Sequence, residues 1–454
     1  MGKCSVPDDI VLLFDYYTPE SQKLWESFRR AGCDCLAVVI EADDFLPAGV
    51  LPVYDLLTRK GKEKGGDGKA KYYYEIKVPD NWTVNAGVGK PYGSITYQHK
   101  EKGRIYYFQS GKRYLVKAVE WFDRKGIVRF CDHYNRHGEN YARTVYDPTG
   151  KRCGKSWFSP TGQERIVENF ITGDIVLDDE GMIRYFRRKI DLMAYAFAKR
   201  GLEKSRIFYN SLSTPFFLIN GLRHSAKRDV LFWQEPVGDE IPWNMRMILE
   251  GAVGRTGKIL VQKRSAYNRL LELGARRDMI DRLGFIYSFE RENGHRPEAL
   301  ICTNSDRIEH CHELVRALPR MRFHILAVTT MSEALMEMKA YDNVSLYPCA
   351  QADVVDALFQ KCDFYFDINY GNEIASAVYK AFVHNQLIFG FEETVHNRDF
   401  MADIHLYPIS DFVRMVSDVN VVMENRDLMK WHLEWQLEDA MAEKQETYAH
   451  IIEA

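Results

Sequence analysis

A chain of 454 residues is too long for one ordinary hydrophobic core, so two or three domains are expected. Hydrophobic content of 46%, charged content of 28% and a formal net charge of -3 describe a soluble globular protein. They exclude the clearly basic surface that nonspecific nucleic-acid binding needs.

The N-terminal "MGKCSVPDDIVLLFDYY" has only a short apolar run. No later run approaches the ~20 apolar residues of a spanning helix, so a cytoplasmic protein is expected. "IVLLFDYY" (10–17) suits a buried parallel strand. In "TPES", Thr18 is placed to cap a helix with Pro19 at its first position. Leu24 and Phe28 share one face of that helix, which ends at Gly32. "CLAVVIEA" (35–42) supplies the next strand. The first turn lacks G-x-G-x-x-G, so no dinucleotide pyrophosphate has a prepared seat there.

After the polar loop "RKGKEKGGDGKAK" (59–71) the texture changes. From 72 to 186 short alternating bursts such as "KYYYEIKV", "GRIYYFQ" and "GIVRFCDHY" are separated by turns such as "PTG" (148–150) and "DDEG" (178–181). That pattern predicts an antiparallel meander inserted into the first α/β domain. The basic runs "GKRYLVK" (111–117) and "RYFRRK" (184–189) suit either anionic lipid or ordinary solvated faces.

Alternation returns at 187. "DLMAYAFAKRG" is expected as a helix ending at Gly201, "SRIFYNS", "RDVLFWQE" and "KILVQK" as strands, and "SAYNRLLELGA" as a helix between the last strand and "GFIYSF". The polar link "ERENGHRP" (290–297) marks a domain boundary.

A second α/β series then reads "PEALICTN", "DRIEHCHELVRALP", "RFHILAV", "MSEALMEMKAY", "NVSLYP", "DVVDALFQKC", "DFYFDIN", "EIASAVYKAFVHN" and "LIFGFEE". Strands and helices alternate as in a doubly wound parallel sheet. The tail from about 411 is helical and charge-rich; Trp431, Trp435 and Leu437 are candidate anchors for its return to the first domain.

Nine cysteines at irregular spacings fit a reducing compartment. "GCDCL" (C-x-C at 33–35) and "HCH" (310–312) lack a second ligand pair, and His310 and His312 point to different faces of a helix. No metal site is expected.

Ligands of tandem doubly wound domains meet the loops just after the strands. Here these are "DYYTPES", "NSLSTP" and "WQEP" in the first domain and "TNSDR", "TTMS", "YPCA" and "NYGNE" in the second. "DINYGNEIASAVYKAF" (367–382) is such a stretch, a strand end running through a glycine turn into a helix.

On these residues the second half resembles the nucleotide-sugar domain of GT-B glycosyltransferases of the retaining, family-four type. Those enzymes place two glutamates with seven residues between them across this turn and helix. In this chain the two positions fall at Asn372 and Lys380, with Glu373 one residue out of register. The basic pair that neutralises the donor diphosphate falls at Asn304 and Glu309, with Arg307 the nearby cation. A lysine cannot accept ribose hydroxyl protons as a carboxylate does, and acidic residues work against a diphosphate.

With the β insert included, the whole chain is similar to the paired O-linked N-acetylglucosamine transferases of the accessory Sec system, and to their stabilising rather than their catalytic member. "LFDYYTPESQ", "RPEALICTNSDRIE", "DNVSLYP", "CDFYFDINYGNEI" and "LIFGFEETVHNR" carry the resemblance. It implies an α/β GT-B fold of two Rossmann-like domains: 1–71 with 187–290, and 291–420. A meander (72–186) is inserted in the first, and a terminal helix (421–454) crosses back. It further implies a degenerate donor site (Asn304, Glu309, Asn372, Lys380), no catalytic residues and no cofactor. The implied partners are a catalytic glycosyltransferase subunit in a heterotetramer, a serine-rich-repeat polypeptide as acceptor, and a peripheral contact with the cytoplasmic face of the membrane.

Acceptor or sugar contacts are then expected from Tyr16, Tyr17, Trp233, Glu235, Asn369, Tyr370, Asn372 and Glu373, which sit at strand ends. Two other roles remain open. One is an active retaining transferase that uses UDP-GlcNAc with Glu373 as a shifted ligand; the other is a scaffold whose β insert pairs with a partner edge to edge.

Overall fold

The computed structural model describes residues 10–42, 45–59, 68–108, 114–223 and 228–453. Most of the expected 59–71 loop and the start of the basic run 111–117 lie outside them. The chain forms two compact units, one of residues 1–234, 239–260 and 275–280 and one of 235–238, 261–274 and 281–454.

The first unit contains a seven-stranded sheet. Its central strand, Ile10–Tyr16, is buried along its first six residues and pairs in parallel with Leu36–Glu41 on one side and Arg206–Tyr209 on the other. A run apolar on both faces is what a central parallel strand requires. The following helix, Pro19–Arg30, starts as its sequence predicts: Thr18 Oγ1 accepts the Ser21 N–H at 3.2 Å. Leu24, Trp25 and Phe28 are buried, and Gly32 ends the segment at φ 82°. Strand order reverses between Ile10–Tyr16 and Arg206–Tyr209, because the chain first winds outward through Leu36–Glu41 and Val50–Pro52. A crevice opens at such a reversal, at the carboxyl ends of the strands.

The insert is a ten-stranded antiparallel sheet whose strands follow one another in chain order, from Thr83–Asn85 to Met182–Phe186. Four successive turns have one construction. Asp123, Asn135, Asp147 and Ser159 each begin a turn whose glycine (Gly126, Gly138, Gly150, Gly162) lies in the left-handed region. The first three side chains accept two main-chain N–H groups each, for example Lys125 and Ile127 on Asp123 at 2.8 and 3.0 Å. The Asp, Asn or Ser supplies the local acceptor, and glycine supplies a backbone conformation that side chains resist. The spacing of 123, 135, 147 and 159 makes this a twelve-residue repeat of strand and turn. "KYYYEIKV", expected as a strand, instead contains a 3-10 turn over Tyr73–Glu75, because Glu75 turns back to accept the Tyr72 N–H at 2.6 Å. In "RYFRRK", Arg184 pairs with Asp179, Lys189 with Glu168 and Arg188 with Asp191.

The second unit is built on a six-stranded sheet, in the order Val344–Tyr347, Arg322–Leu326, Glu298–Cys302, Phe364–Asp367, Leu387–Phe391, Leu406–Tyr407, with all pairs parallel. Its reversal point lies between Glu298–Cys302 and Phe364–Asp367. "GFIYSF" is not a sheet strand. It makes one bridge, Phe285 to Ala442, and packs Tyr287 edge-on to Phe382 at 4.9 Å, so tail contacts replace a sheet ladder. The three tail helices are Phe412–Glu424, Arg426–Asp439 and Gln445–Glu453. The last returns to the segment expected in the first domain, where Tyr448 Oη donates to the Gly284 carbonyl at 2.6 Å. Leu437 packs on the core of the second unit, whereas Trp431 stays 44% exposed and stacks at 4.0 Å on Trp435. Among the described residues no helix is long and apolar enough to cross a membrane.

Candidate functional site

At the reversal point of the second sheet two loops are tied together. The helix expected from Asp306 begins only at Cys311. Thr303 Oγ1 accepts the Ser305 N–H at 3.0 Å and donates to the Ser305 carbonyl at 2.6 Å, folding the chain back before a helix can start. Residues 307–309 then pair with 368–370: the Glu309 N–H meets the Ile368 carbonyl at 2.8 Å, and the Tyr370 N–H meets the Arg307 carbonyl at 2.9 Å. Tyr370 Oη donates to Glu309 at 2.6 Å, and the Arg307 guanidinium lies 4.4 Å from the centre of the Tyr370 ring. The Glu309 carboxylate, by accepting that bond, raises the Tyr370 phenol above its ordinary pKa. Glu309, Tyr370 and Arg307 are thus engaged with one another.

The helix expected from Glu373 likewise begins late, at Ala377. Ala375 and Ser376 both have positive φ, and Glu373 reaches over them to accept the Val378 N–H at 2.9 Å. This out-of-register glutamate therefore caps a helix, leaving its other oxygen for any ligand. Asn372 is exposed, as is Asn304, whose Oδ1 lies where a Cβ on Gly371 would come within 2.8 Å. Gly371 at φ 107° is thus required both by its backbone and by its neighbour. Asn369 is buried, and its Oδ1 has no hydrogen-bond partner.

Lys380 borders a cavity of about 240 Å³ among Cys302, Leu326, Val355, Phe359 and Ile374. Its ammonium lies 5.8 Å from the centre of the Phe359 ring. The other charged lining residue is Asp356. A nucleoside diphosphate carries about two negative charges and needs preorganised cations for transfer. One ammonium beside one carboxylate is a poor cradle for it. Burial pushes the Cys302 thiol at the cavity wall up to about 12, so it is not a ready nucleophile.

Sequence reasoning did not single out His396, although "LIFGFEETVHNR" contains it. Asp367, fully buried at the end of its strand, accepts His396 Nδ1 at 2.6 Å and the His396 N–H at 2.7 Å. His396 Nε2 meets the Gly371 carbonyl at 3.0 Å. Both ring nitrogens therefore face acceptors. The bond to Asp367 raises the imidazole pKa above its ordinary value against the opposing effect of burial. The pair holds the glycine turn in place. A lone histidine after a strand carries no periodic signal, which is why the sequence pattern left it unmarked.

The reversal point of the first sheet carries a buried polar network. The Asp15 N–H donates to Asn210 Oδ1 at 3.2 Å, and Ser211 Oγ donates to Asp15 Oδ2 at 3.1 Å. Asn210 Nδ2 donates to Ser21 Oγ at 2.9 Å and to Gln234 Oε1 at 3.0 Å. Burial raises the Asp15 carboxyl, opposed by hydrogen bonds from Ser211 and Ser213. The expected loops contain these residues, but the residues themselves were not among the candidates: a single Asn or Gln at a strand end looks like any turn residue. Of those that were, Tyr16 is exposed, while Tyr17 and Trp233 are largely withdrawn, with Tyr17 Oη and Trp233 Nε1 buried and unpartnered. Glu235 is exposed. Two orphaned donors, next in sequence to a polar network, suit sugar hydroxyls or peptide carbonyls better than an ionic ligand.

Four family models match the chain in order: the GtfB N-terminal domain over 11–56, the GtfB middle domain over 82–187, the GtfB third domain over 189–273 and the GftB/GlyA-F C-terminal domain over 299–436. The UDP-N-acetylglucosamine–peptide N-acetylglucosaminyltransferase stabilizing protein GtfB of Streptococcus pneumoniae is 38% identical over 424 residues, covering 93% of this chain and 94% of that protein. Its counterpart from Streptococcus agalactiae is 36% identical over 445 residues, covering 98% and 99%. A chain in the crystal structure of a GtfA/B complex bound to UDP and GlcNAc matches with a TM-score of 0.79 and 35% identity, over 98% of this chain and 99% of that one.

Proposed function

The chain belongs to the GtfB family, and on that premise we propose that it is the non-catalytic stabilising subunit of a two-protein O-GlcNAc transferase. Its partner is a GtfA-like catalytic glycosyltransferase, and the chain itself holds the acceptor polypeptide. The observation that carries this reading is the state of the donor position. Lys380 and Asn372 stand where the two carboxylates belong, Glu373 has one oxygen engaged by Val378, and Arg307 lies over Tyr370. A retaining transferase cannot hold ribose hydroxyls and neutralise a diphosphate with that set. The network of Asp15, Asn210, Ser211 and Gln234, with Trp233 and Tyr17 beside it in sequence, supports acceptor binding at the first unit's strand ends.

The finer reading rests on the resemblance read from the sequence. The acceptor is a serine-rich-repeat polypeptide destined for accessory Sec export, the complex is a heterotetramer, and it works at the cytoplasmic face of the membrane. The free edge strand of the insert, Met182–Phe186, exposes Met182, Ile183 and Tyr185 and is a fit surface for the catalytic partner.

Calorimetry with UDP-GlcNAc and transfer assays on a serine-rich peptide test the proposal, with the chain alone and co-expressed with a catalytic partner. The expected result is no donor binding and no transfer alone, with greater solubility and transfer for the pair. Tight donor binding or transfer by the isolated chain overturns it and restores the active-transferase reading through Glu373. Restoring both carboxylates, Asn372→Glu with Lys380→Glu, is expected to leave donor binding absent, because the diphosphate cations at 304 and 309 are missing as well.

A further inference from the structure

The first unit contains a second polar cavity, none of whose residues belongs to the sites above. It measures about 250 Å³ and lies between the short helix Asp55–Thr58, the Ser159–Gln163 turn of the insert and the end of the helix Lys189–Lys199. Four cationic side chains line it: Arg59, Arg165, Lys199 and Arg200, against one carboxylate, Glu180.

Three of the four are already engaged. The Arg59 guanidinium pairs with Asp55 at 2.8 Å and with Glu139. Arg200 donates to the main-chain carbonyls of Leu56, at 2.7 Å, and Arg59. Lys199 pairs with Asp179, which also takes Arg184.

Arg165 differs. It is only 8% exposed, it has no hydrogen bond or ion pair among the described residues, and its Nε is fully buried without an acceptor. A guanidinium cannot shed its proton to escape burial. Its terminal nitrogens carry most of the charge and are left to the solvent of the cavity, a cation with no protein counter-charge that an anion can engage. Neutral polar side chains line the same space: Thr58; Ser159 and Thr161, whose hydroxyls bond each other at 2.8 Å; and Gln163, whose amide also donates to Asp178 at 3.1 Å.

We propose that this cavity is a binding site for a small oxyanion, a phosphate or phosphate monoester, with the Arg165 guanidinium as its principal ligand. The planar fork of arginine matches two phosphate oxygens at once, which a water molecule or a neutral sugar does not. The volume holds about eight waters, room for a phosphate group and a carrier of roughly monosaccharide size. Glu180 at the rim favours a carrier whose far side is uncharged or hydroxylated.

Titration calorimetry of the full chain at low ionic strength, with inorganic phosphate and separately with a hexose phosphate, tests the assignment. Binding of either at one site per chain is expected. Tighter binding of the hexose phosphate identifies the carrier as part of the ligand, and equal binding identifies the free anion. Arg165→Leu should weaken binding by at least about tenfold, and Arg165→Lys, which keeps the charge without the fork, by less. In the absence of anion Arg165→Leu should melt no lower than the wild type, since Arg165 makes no hydrogen bond or ion pair among the described residues for the change to break. It should also lose the anion-induced rise in melting temperature. The proposal falls if neither anion binds the wild type, or if Arg165→Leu binds as well as the wild type. It falls equally if Arg165→Leu instead disrupts the complex with the catalytic subunit while no anion binds, which assigns the cavity to an acidic side chain of that subunit.

Discussion

Replacing His396 by alanine removes the clasp between Asp367 and the glycine turn. Asp367 is fully buried, and the His396 side chain is 11% exposed, so little solvent screens their 2.6 Å bond. A hydrogen bond to a charged group contributes about 1.5–3 kcal/mol, and the neutral bond to the Gly371 carbonyl about 1 kcal/mol. Asp367 keeps the main-chain N–H of residue 396 and gains access to water in the alanine variant, so the expected cost is about 2–3 kcal/mol. For a unit of this size that lowers the melting temperature by about 4–12 °C. The pH dependence has a definite sign. The folded imidazole has a pKa above its ordinary 6.5, so the proton contributes stability that is full below pH 6.5 and is lost as pH rises through the folded value. The gap between wild type and His396→Ala, measured by denaturant unfolding, should therefore be larger at pH 6 than at pH 9. An imidazole titrating below 6.5 by NMR, or a gap that does not change with pH, would refute this account of the clasp.

Gly371→Ala should destabilise the same turn by about 1–3 kcal/mol, since φ 107° and the close approach of Asn304 both oppose a Cβ; chemical denaturation measures it, and a change under about 0.5 kcal/mol contradicts it. Asp363 is fully buried between Arg291 at 2.5 Å and Arg296 at 2.8 Å. Burial raises its carboxyl, but the arginine hydrogen bonds prevail and hold it below the ordinary 3.8. That stability is present above pH 3.8 and lost as pH falls through the lowered value. Asp363→Asn should cost about 3–5 kcal/mol at pH 7 and blunt acid unfolding of the second unit, as followed by circular dichroism.

The alternation of buried strands and helices in both α/β regions was legible because each strand is apolar on two faces and each helix on one. The meander was legible for the opposite reason, a one-sided alternation broken by glycine turns. What the pattern misplaced were the helix starts, which lie at 311 and 377. In each case a contact distant in sequence or a side chain folding back overrode local propensity: Ile308 against Asn369, and Glu373 on Val378. The proposed donor-site positions, Asn304, Glu309, Asn372 and Lys380, come from the resemblance to GT-B glycosyltransferases and not from any pattern of spacing. His396, Asn210 and Arg165 could not be read from the sequence, because what marks them is the company they keep after folding.

The turns of the insert have one more consequence. Each closes its own backbone hydrogen bonds within about five residues, so the sheet is modular wherever its turns do not also meet the α/β region, as the second does through Glu139 on Arg59. Removing or adding two repeats leaves strand direction and the inward face unchanged, whereas a single repeat reverses the strands that follow. The reach of this sheet is thus a quantity that can be lengthened or shortened in even steps without redesigning the α/β region that carries it.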